Sequence, residues 1–473
     1  MELYELDRAI VGELILGKKV YERLQELCAL GTRFAGTAGE KLSQEYMMNE
    51  LTSYGLKPRL EEFEHLAWQR QSSQLEILSP IAKELMSVSL AGAPSTPTEG
   101  IEGEILFLGD GTPSEFEAHK ELIKGRIVLV TSLSPQCECS PPRQCHRRTK
   151  YGRAVAYGAT ALLFMNNQPG MLPQVGSTRQ NREGEIPAVS IPFEEGKLLQ
   201  HYLTQGPVKV RLQASNRSFL NRTGNIVAEI HGRKADEVVV IGGHYDCHDN
   251  SPGATDNGAG VALLLELARI MRMLGAEYEK TIRFVFFGVE EMAAVGSSFY
   301  VARHQDELER IHLFINLDGV GKRGGKTFDT QGFDDVSEYV LGMAEQLGYG
   351  MKIPQPAFSG DALPFVLAGV PTMAMKRGGA DSIFGHEPSG SDEDRGWGHT
   401  AADTLDKVQP FDLYESAIIA GQALLRAATH TGAIAKRRSE AEVKAILAQH
   451  GMNEVLSFMK WPTIPIGPKE YRH

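Results

Sequence analysis

The chain is poor in cysteine, in tryptophan and in net positive charge, and it lacks a long apolar run. Five cysteines in 473 residues is an odd and small number. A full disulfide framework is therefore excluded, and the fold must rest on an apolar core. A net charge of -11 argues against nucleic acid as the main partner, because phosphate binding needs a cationic surface. No stretch approaches the roughly 20 apolar residues of a membrane helix, so no membrane partner is expected. The start, Met1-Glu2-Leu3-Tyr4-Glu5-Leu6-Asp7-Arg8, has no basic segment followed by an apolar one. No secretory signal is read there, and the expected location is cytoplasmic. Internal repeats and low-complexity tracts are absent.

What is present is an ordinary globular composition, 42% hydrophobic and 23% charged, which supports a sizeable core. At this length two or three domains are expected. Helical periodicity runs from Gly17 to Leu30, with Val20, Leu24, Leu27 and Leu30 on one face, and again from Glu40 to Tyr54. Lys57 to Phe63 reads as a strand. Residues 75–219 differ in texture, with short strands punctuated by Pro and Gly. These are Ile101–Leu108, Gly125–Val130, Ala159–Phe164 and Ile186–Ile191. They read as a β-rich module inserted into an α/β domain made of residues 1–74 and 220–473.

From Asn225 onward strands and helices alternate. Val238-Val239-Val240-Ile241 is uniformly apolar, as in a strand buried on both faces. Ile282–Phe287, Ile311–Leu317 and Pro371–Met375 are further strands. Val261–Leu274, Val336–Leu347 and Leu413–Ala428 are helices. The fold class is α/β, a mostly parallel sheet with helices on both faces. The tail from Ala435 reads as a surface helix and a loose end.

The chemistry collects at strand ends. Gly242-Gly243-His244-Tyr245-Asp246 and Gly253-Ala254-Thr255-Asp256-Asn257-Gly258-Ala259-Gly260 follow one strand. Glu290-Glu291 follows the next, Asp318 closes another, and Gly398-His399-Thr400 comes later. A two-metal hydrolytic site needs carboxylates and imidazoles around two close cations, with open positions for water. Asp256 suits the bridging position, because the glycines around it let the backbone approach closely. His244 suits one metal, and Asp246, two residues on, is placed to hydrogen-bond its imidazole and fix its tautomer. Adjacent side chains leave a strand end in different directions, so one of Glu290 and Glu291 ligates and the other takes a proton. Asp318 and His399 complete three protein ligands per metal.

At these residues the chain resembles the M28 family of zinc exopeptidases. The likeness rests on Gly243-His244-Tyr245-Asp246, Thr255-Asp256-Asn257-Gly258-Ala259-Gly260, Glu290-Glu291, Asn316-Leu317-Asp318, and His399-Thr400 with Asp403-Thr404. Ser359-Gly360-Asp361 resembles the family's segment before the last strand, except that Ala362 stands where the family often has His. The resemblance implies two zinc ions, with His244 and Asp318 on one, Glu291 and His399 on the other, and Asp256 bridging. It implies Glu290 as general base and later acid in metal-assisted attack of water on a peptide carbonyl. Small peptides are the implied substrates. Aminopeptidase action is the first expectation, with carboxypeptidase or dipeptidase action on the same site the alternative. A homodimer is a family-level expectation. Receptor-like relatives keep the fold without the chemistry, but they are expected to lose ligands, and here every ligand is present.

Residues 75–219 resemble a protease-associated (PA) domain, through Gly125–Val130, Tyr157–Phe164 and Ile186–Ile191. The resemblance implies a roof over the active site that limits access to small substrates. Four features stand apart. Cys137, Cys139 and Cys145 with His146 could hold a structural zinc, pair as a disulfide or remain free thiols, and their spacing is not that of a standard zinc finger. The loop Gly378–Gly398, with Asp392, Glu393 and Asp394, is an ordinary solvated loop or a holder of a substrate amine. Lys376 and Arg377 could instead meet a substrate carboxylate. Trp397 suits a pocket wall or a packing position.

Overall fold

The computed structural model describes residues 2–134, 145–378, 382–384 and 397–460. Cys137, Cys139 and the Asp392-Glu393-Asp394 run lie outside them, as do the readings that depend on those residues. Cys145 is buried, and the His146 side chain caps the helix that follows by accepting from Arg148 N–H.

Three helices open the chain, α1 (Leu3–Gly17), α2 (Lys19–Ala29) and α3 (Ala38–Ser53). Leu6, Ile10 and Leu14 of α1 and Val20, Leu24 and Leu27 of α2 are buried on single helical faces. Strand β1 (Arg59–Ser79) is far longer than the expected 57–63. Within the insert come β2 (Lys83–Leu85), β3 (Val88–Ser89), β4 (Ile101–Phe107), α4 (Pro113–Ala118), α5 (Lys120–Ile123), β5 (Ile127–Thr131), α6 (Arg147–Ala156), β6 (Ala161–Met165), β7 (Ala188–Ile191) and α7 (Phe193–Leu203). Strand β8 (Lys209–Ile230) returns antiparallel along the whole of β1. The boundaries expected near 75 and 220 thus fall inside one continuous two-stranded ribbon that both parts share.

The larger part continues with β9 (Lys234–His244), α8 (Ala259–Leu274), β10 (Lys280–Phe287), α9 (Val295–Arg303), β11 (Ile311–Asn316), β12 (Lys326–Asp329), α10 (Asp334–Leu347), α11 (Ala362–Leu367), β13 (Thr372–Arg377), α12 (Pro410–Thr429), α13 (Glu440–Gln449) and α14 (Met452–Met459). Strands run in the order β12-β13-β11-β9-β10-β8-β4-β5-β6-β7-β3. The β13-β11-β9-β10 and β4-β5-β6-β7 groups are parallel. The apolar run in β9 is split between two cores. Val239 and Ile241 pack with the α8 and α12 side, and Val238 and Val240 pack with Tyr300, Val301 and Phe365 on the α9 and α11 side. Each such side chain contributes roughly 1.5–3 kcal/mol relative to exposure. Among the described residues no helix is long and apolar enough to cross a membrane.

The tail is not loose as far as Lys460. Met452, Val455, Leu456 and Met459 of α14 recur at helical spacing and are all buried. Arg153 on α6 of the insert pairs with Glu454 at 2.9 Å, and Arg179 Nη1 donates to Phe458 O at 2.7 Å. Helix α14 straps the insert to the sheet that carries the site.

Candidate metal centre and active site

Four loops meet beyond the carboxyl ends of the parallel strands, the edge where open α/β sheets hold ligands. β9 ends on His244, beside Phe287 of β10, and Gly242 lies beside Asn316 of β11. Glu290, Glu291 and Asp318, just beyond those neighbours, therefore emerge level with His244. The loop between β10 and α9 has left-handed backbone at Val289, Ala293 and Ala294, with φ of 62°, 76° and 52°. Such conformations are strained for side chains with a Cβ, and here they flank the glutamate pair.

The Asp256 loop is held from three sides. Asp403 accepts from Thr255 N–H at 2.8 Å and from Asp256 N–H at 3.2 Å. Asn257 Nδ2 donates to Leu317 O at 2.8 Å and to His244 O at 3.3 Å. A Cβ on Gly243 would stand 2.4 Å from Leu317 O, and one on Gly260 2.6 Å from the same oxygen. Glycine is required at both by this close approach.

Two donor sets result. His244 Nε2 lies 3.2 Å from Asp256 Oδ1 and 3.7 Å from Asp318 Oδ1. His399 Nε2 lies 3.1 Å from Asp256 Oδ2 and 3.4 Å from Glu291 Oε2. Donors about 2.0–2.1 Å from one tetrahedral ion stand roughly 3.3 Å apart, so these are the edges of two coordination shells. Asp256 turns one oxygen to each. Glu290 belongs to neither set. A Cβ on Gly360 would sit 3.2 Å from Asp318 Oδ2 and 3.6 Å from Glu290 Oε1, so those two oxygens converge on one point.

Burial drives the carboxyls of Glu290 and Glu291 up to about 8, against the pull of His244 on the first and His399 on the second. Burial also pushes Asp361 well above the usual range, and Glu290 beside it adds repulsion. At Asp256 burial is outweighed by the nearby imidazoles of His244 and His399, which hold it well below. Negative charge is in surplus. His244 Nε2, Glu291 Oε1, both ring nitrogens of His248 and both oxygens of Asp361 are buried with no hydrogen-bond partner in the protein. Divalent cations meet both demands, charge and missing partners, and the residues present fit them.

Asp246 differs from its expected part. Its carboxylate is 3.6 Å from His244 Nδ1, too far for a good hydrogen bond, while its main-chain O is 3.1 Å from that nitrogen. The tautomer is fixed by the peptide carbonyl. The carboxylate instead accepts from Glu290 N–H at 2.9 Å and Glu291 N–H at 3.1 Å. Asp246 is thus a positioning residue for the glutamate pair. Two residues further along an extended chain its side chain does face the same side, but a neighbouring loop offers it better donors.

The insert reaches the centre. Val175 N–H donates to His399 O at 2.9 Å, His399 Nδ1 meets Val175 O at 3.2 Å, and Gln180 Nε2 donates to Ala293 O at 2.9 Å. Buried Arg148 bonds Ser177 Oγ, and its charge is felt at Glu290 and Glu291.

Residues 225–423 match the family model described as Peptidase family M28, and residues 88–199 match that of the PA domain. This chain is an M28 peptidase with a PA domain. Its sequence is 29% identical to aminopeptidase YwaD of Bacillus subtilis over 403 residues, 83% of this chain and 80% of the other. It is 28% identical to carboxypeptidase Q of Xenopus laevis over 326 residues, 66% and 68% of the two chains. The solved structure of BSAP, a zinc aminopeptidase from Bacillus subtilis, aligns with a TM-score of 0.65 at 26% identity, covering 89% of this chain and 98% of the other. A peptidase M28 precursor from Shewanella amazonensis shares the fold, with a TM-score of 0.75 at 23% identity over 92% and 99%.

In this M28 peptidase the structure brings together all seven residues singled out from the sequence, His244, Asp246, Asp256, Glu290, Glu291, Asp318 and His399. Three further features come from the structure. His248 Nε2 is 2.8 Å from Glu291 Oε2. Asp361 is near enough to Glu290 for the two carboxyls to repel. Arg33, fully buried, donates to Tyr245 O, Pro252 O and Gly253 O and so fixes the 245–253 loop. Cys247 is part of that packing and accepts from Arg33 N–H, while burial pushes its thiol up to about 12. It is an inert thiol rather than a pocket group. Trp397 carries the Lys407 ammonium over its ring at 4.7 Å.

Proposed function

We propose that this M28 peptidase is a zinc-dependent aminopeptidase acting on small peptides in the cytoplasm, with two metal ions at the centre. The observation that carries the reading is Asp256, whose two oxygens face His244 on one side and His399 on the other. His244, Asp318 and Asp256 would hold one ion, and Glu291, His399 and Asp256 the other. When bound, such ions supply Lewis-acid polarisation of the peptide carbonyl and an acidified water.

The chain's own residues do the rest. Glu290 takes a proton at Oε1 and delivers it to the departing amine nitrogen. Its place outside both donor sets leaves its carboxylate free to accept and give a proton. Asp246 holds the amides of Glu290 and Glu291, so base and ligand keep their separation. The PA segment around Val175 covers His399 and narrows access to short substrates. The surplus of carboxylates favours a free α-amine, and the similarity to YwaD and BSAP, both named as aminopeptidases, points the same way.

One observation favours the second reading, carboxypeptidase action. Arg148 makes no ion pair among the described residues, and Lys376 lies near enough to lower Asp318. Either cation suits a substrate carboxylate, and carboxypeptidase Q is among the similar proteins. A peptide amide with a free amine and an N-acetylated peptide with a free carboxylate, each assayed with and without chelator, separate the readings. The aminopeptidase reading expects turnover of the free amine alone, abolished by chelator. Turnover of N-blocked peptides with free carboxylates alone would replace it with the carboxypeptidase reading.

A further inference from the structure

We propose that His248 is a fourth protein ligand of the metal ion held by Glu291 and His399, a proposal that rests on the two-metal reading above. His248 belongs to the 245–253 loop, and sequence spacing gives it no role. In the fold its Nε2, a carboxylate oxygen of Glu291 and a ring nitrogen of His399 lie within 4.8 Å of one another. Nε2 is 2.8 Å from Glu291 Oε2, which is itself 3.4 Å from His399 Nε2. The two imidazoles sit with centroids 4.4 Å apart and planes at 68°. That places two ring edges around one point rather than stacking one ring on the other.

A packing role accounts for less. His248 stacks on Phe34 at 6.0 Å, but it is 2% exposed and neither ring nitrogen has a hydrogen-bond partner in the protein. A ring buried only for its shape would leave two polar atoms unsatisfied, which proteins avoid. A cation between His248, Glu291 and His399 satisfies Nε2 at the point that Glu291 Oε2 and His399 Nε2 also face. The loop is also built to hold the ring still. Arg33 donates to three carbonyls of the loop, Asp249 pairs with Arg70 at 2.5 Å, and Asn250 Nδ2 donates to His399 O at 3.3 Å. The rigidity needed for a ligand is therefore present.

The consequence is asymmetry. Asp256, Glu291, His248 and His399 surround one position, whereas His244, Asp256 and Asp318 surround the other. The four-donor position is the tighter and more closed, and the three-donor position keeps more room for exchangeable ligands.

Cobalt(II) titration of the metal-free full chain, followed by visible absorption and by competition with a chelator, tests this. Wild type is expected to take two equivalents. His248→Ala and the bulkier His248→Gln should weaken one of the two by roughly 100-fold and change its ligand-field spectrum, leaving the other equivalent as it was. Circular dichroism on both variants reports folding. Two equivalents with unchanged affinity and spectrum in both variants would overturn the assignment of His248 alone. A wild-type chain that takes only one equivalent would overturn the two-metal reading and this inference with it.

Discussion

His399 and Val175 are joined twice, by Val175 N–H to His399 O at 2.9 Å and by His399 Nδ1 with Val175 O at 3.2 Å. One residue belongs to the metal centre and the other to the PA domain, 224 positions away. His399 also has left-handed backbone, φ 65°, a conformation costing about 1–3 kcal/mol that its surroundings must hold. The insert is thus part of the centre and not only a lid. Val175→Pro removes the N–H that makes one of the two bonds. Metal affinity is expected to fall by about 10–100-fold, as when other partners that orient ligands are lost. Isothermal titration of the metal-free variant with zinc checks it, and unchanged affinity would show that the insert does not orient His399.

The dock between insert and tail should be sensitive to one methyl group. A Cβ on Gly152 of α6 would stand 2.1 Å from Phe458 O of α14. Gly152→Ala is expected to displace α14 at a cost of about 1–3 kcal/mol, the usual range for overpacking. Limited proteolysis should then cut the chain near residue 451, where the wild type resists.

Glu40 gives a pH signature away from the metals. Burial raises its carboxyl from 4.5 to about 7, although Thr223 Oγ1 and Gly36 N–H both donate to it. The folded state therefore binds a proton that the unfolded chain releases between those values. This contribution is full below pH 4.5 and is lost as the pH rises to about 7, up to about 3 kcal/mol in all. Glu40→Gln can accept from Gly36 and donate to Thr223. It should lie close to wild type at pH 5 and exceed it by a larger margin in urea midpoint at pH 8. Equal differences at the two pH values would contradict a raised Glu40.

Much of the centre was legible because its residues follow strands that announce themselves. Val238–Ile241 and Ile282–Phe287 are uniformly apolar, and parallel sheets gather ligands at their carboxyl ends, so His244, Glu290, Glu291 and Asp318 could be placed together. The partner of the Asp246 carboxylate could not, since two amides from another loop compete with the imidazole. His248 escaped for a similar reason. Its loop is shaped by Arg33, more than 200 residues earlier. Helix α9 is buried along most of its length, so it lacks the two-faced pattern that marks a helix in sequence. By contrast the spacing of Met452, Val455, Leu456 and Met459 was readable, and the tail was under-read because its partner surface lies in the insert.

The most direct test of the central claim is Glu290→Gln, measured for turnover and for bound zinc on the same sample. The substitution keeps size and hydrogen bonding at a residue outside both donor sets, and it removes the proton acceptor. Turnover should fall by roughly 1000-fold or more while zinc content equals that of wild type. Near-normal turnover with full zinc would contradict the account, because the proton would then have another route.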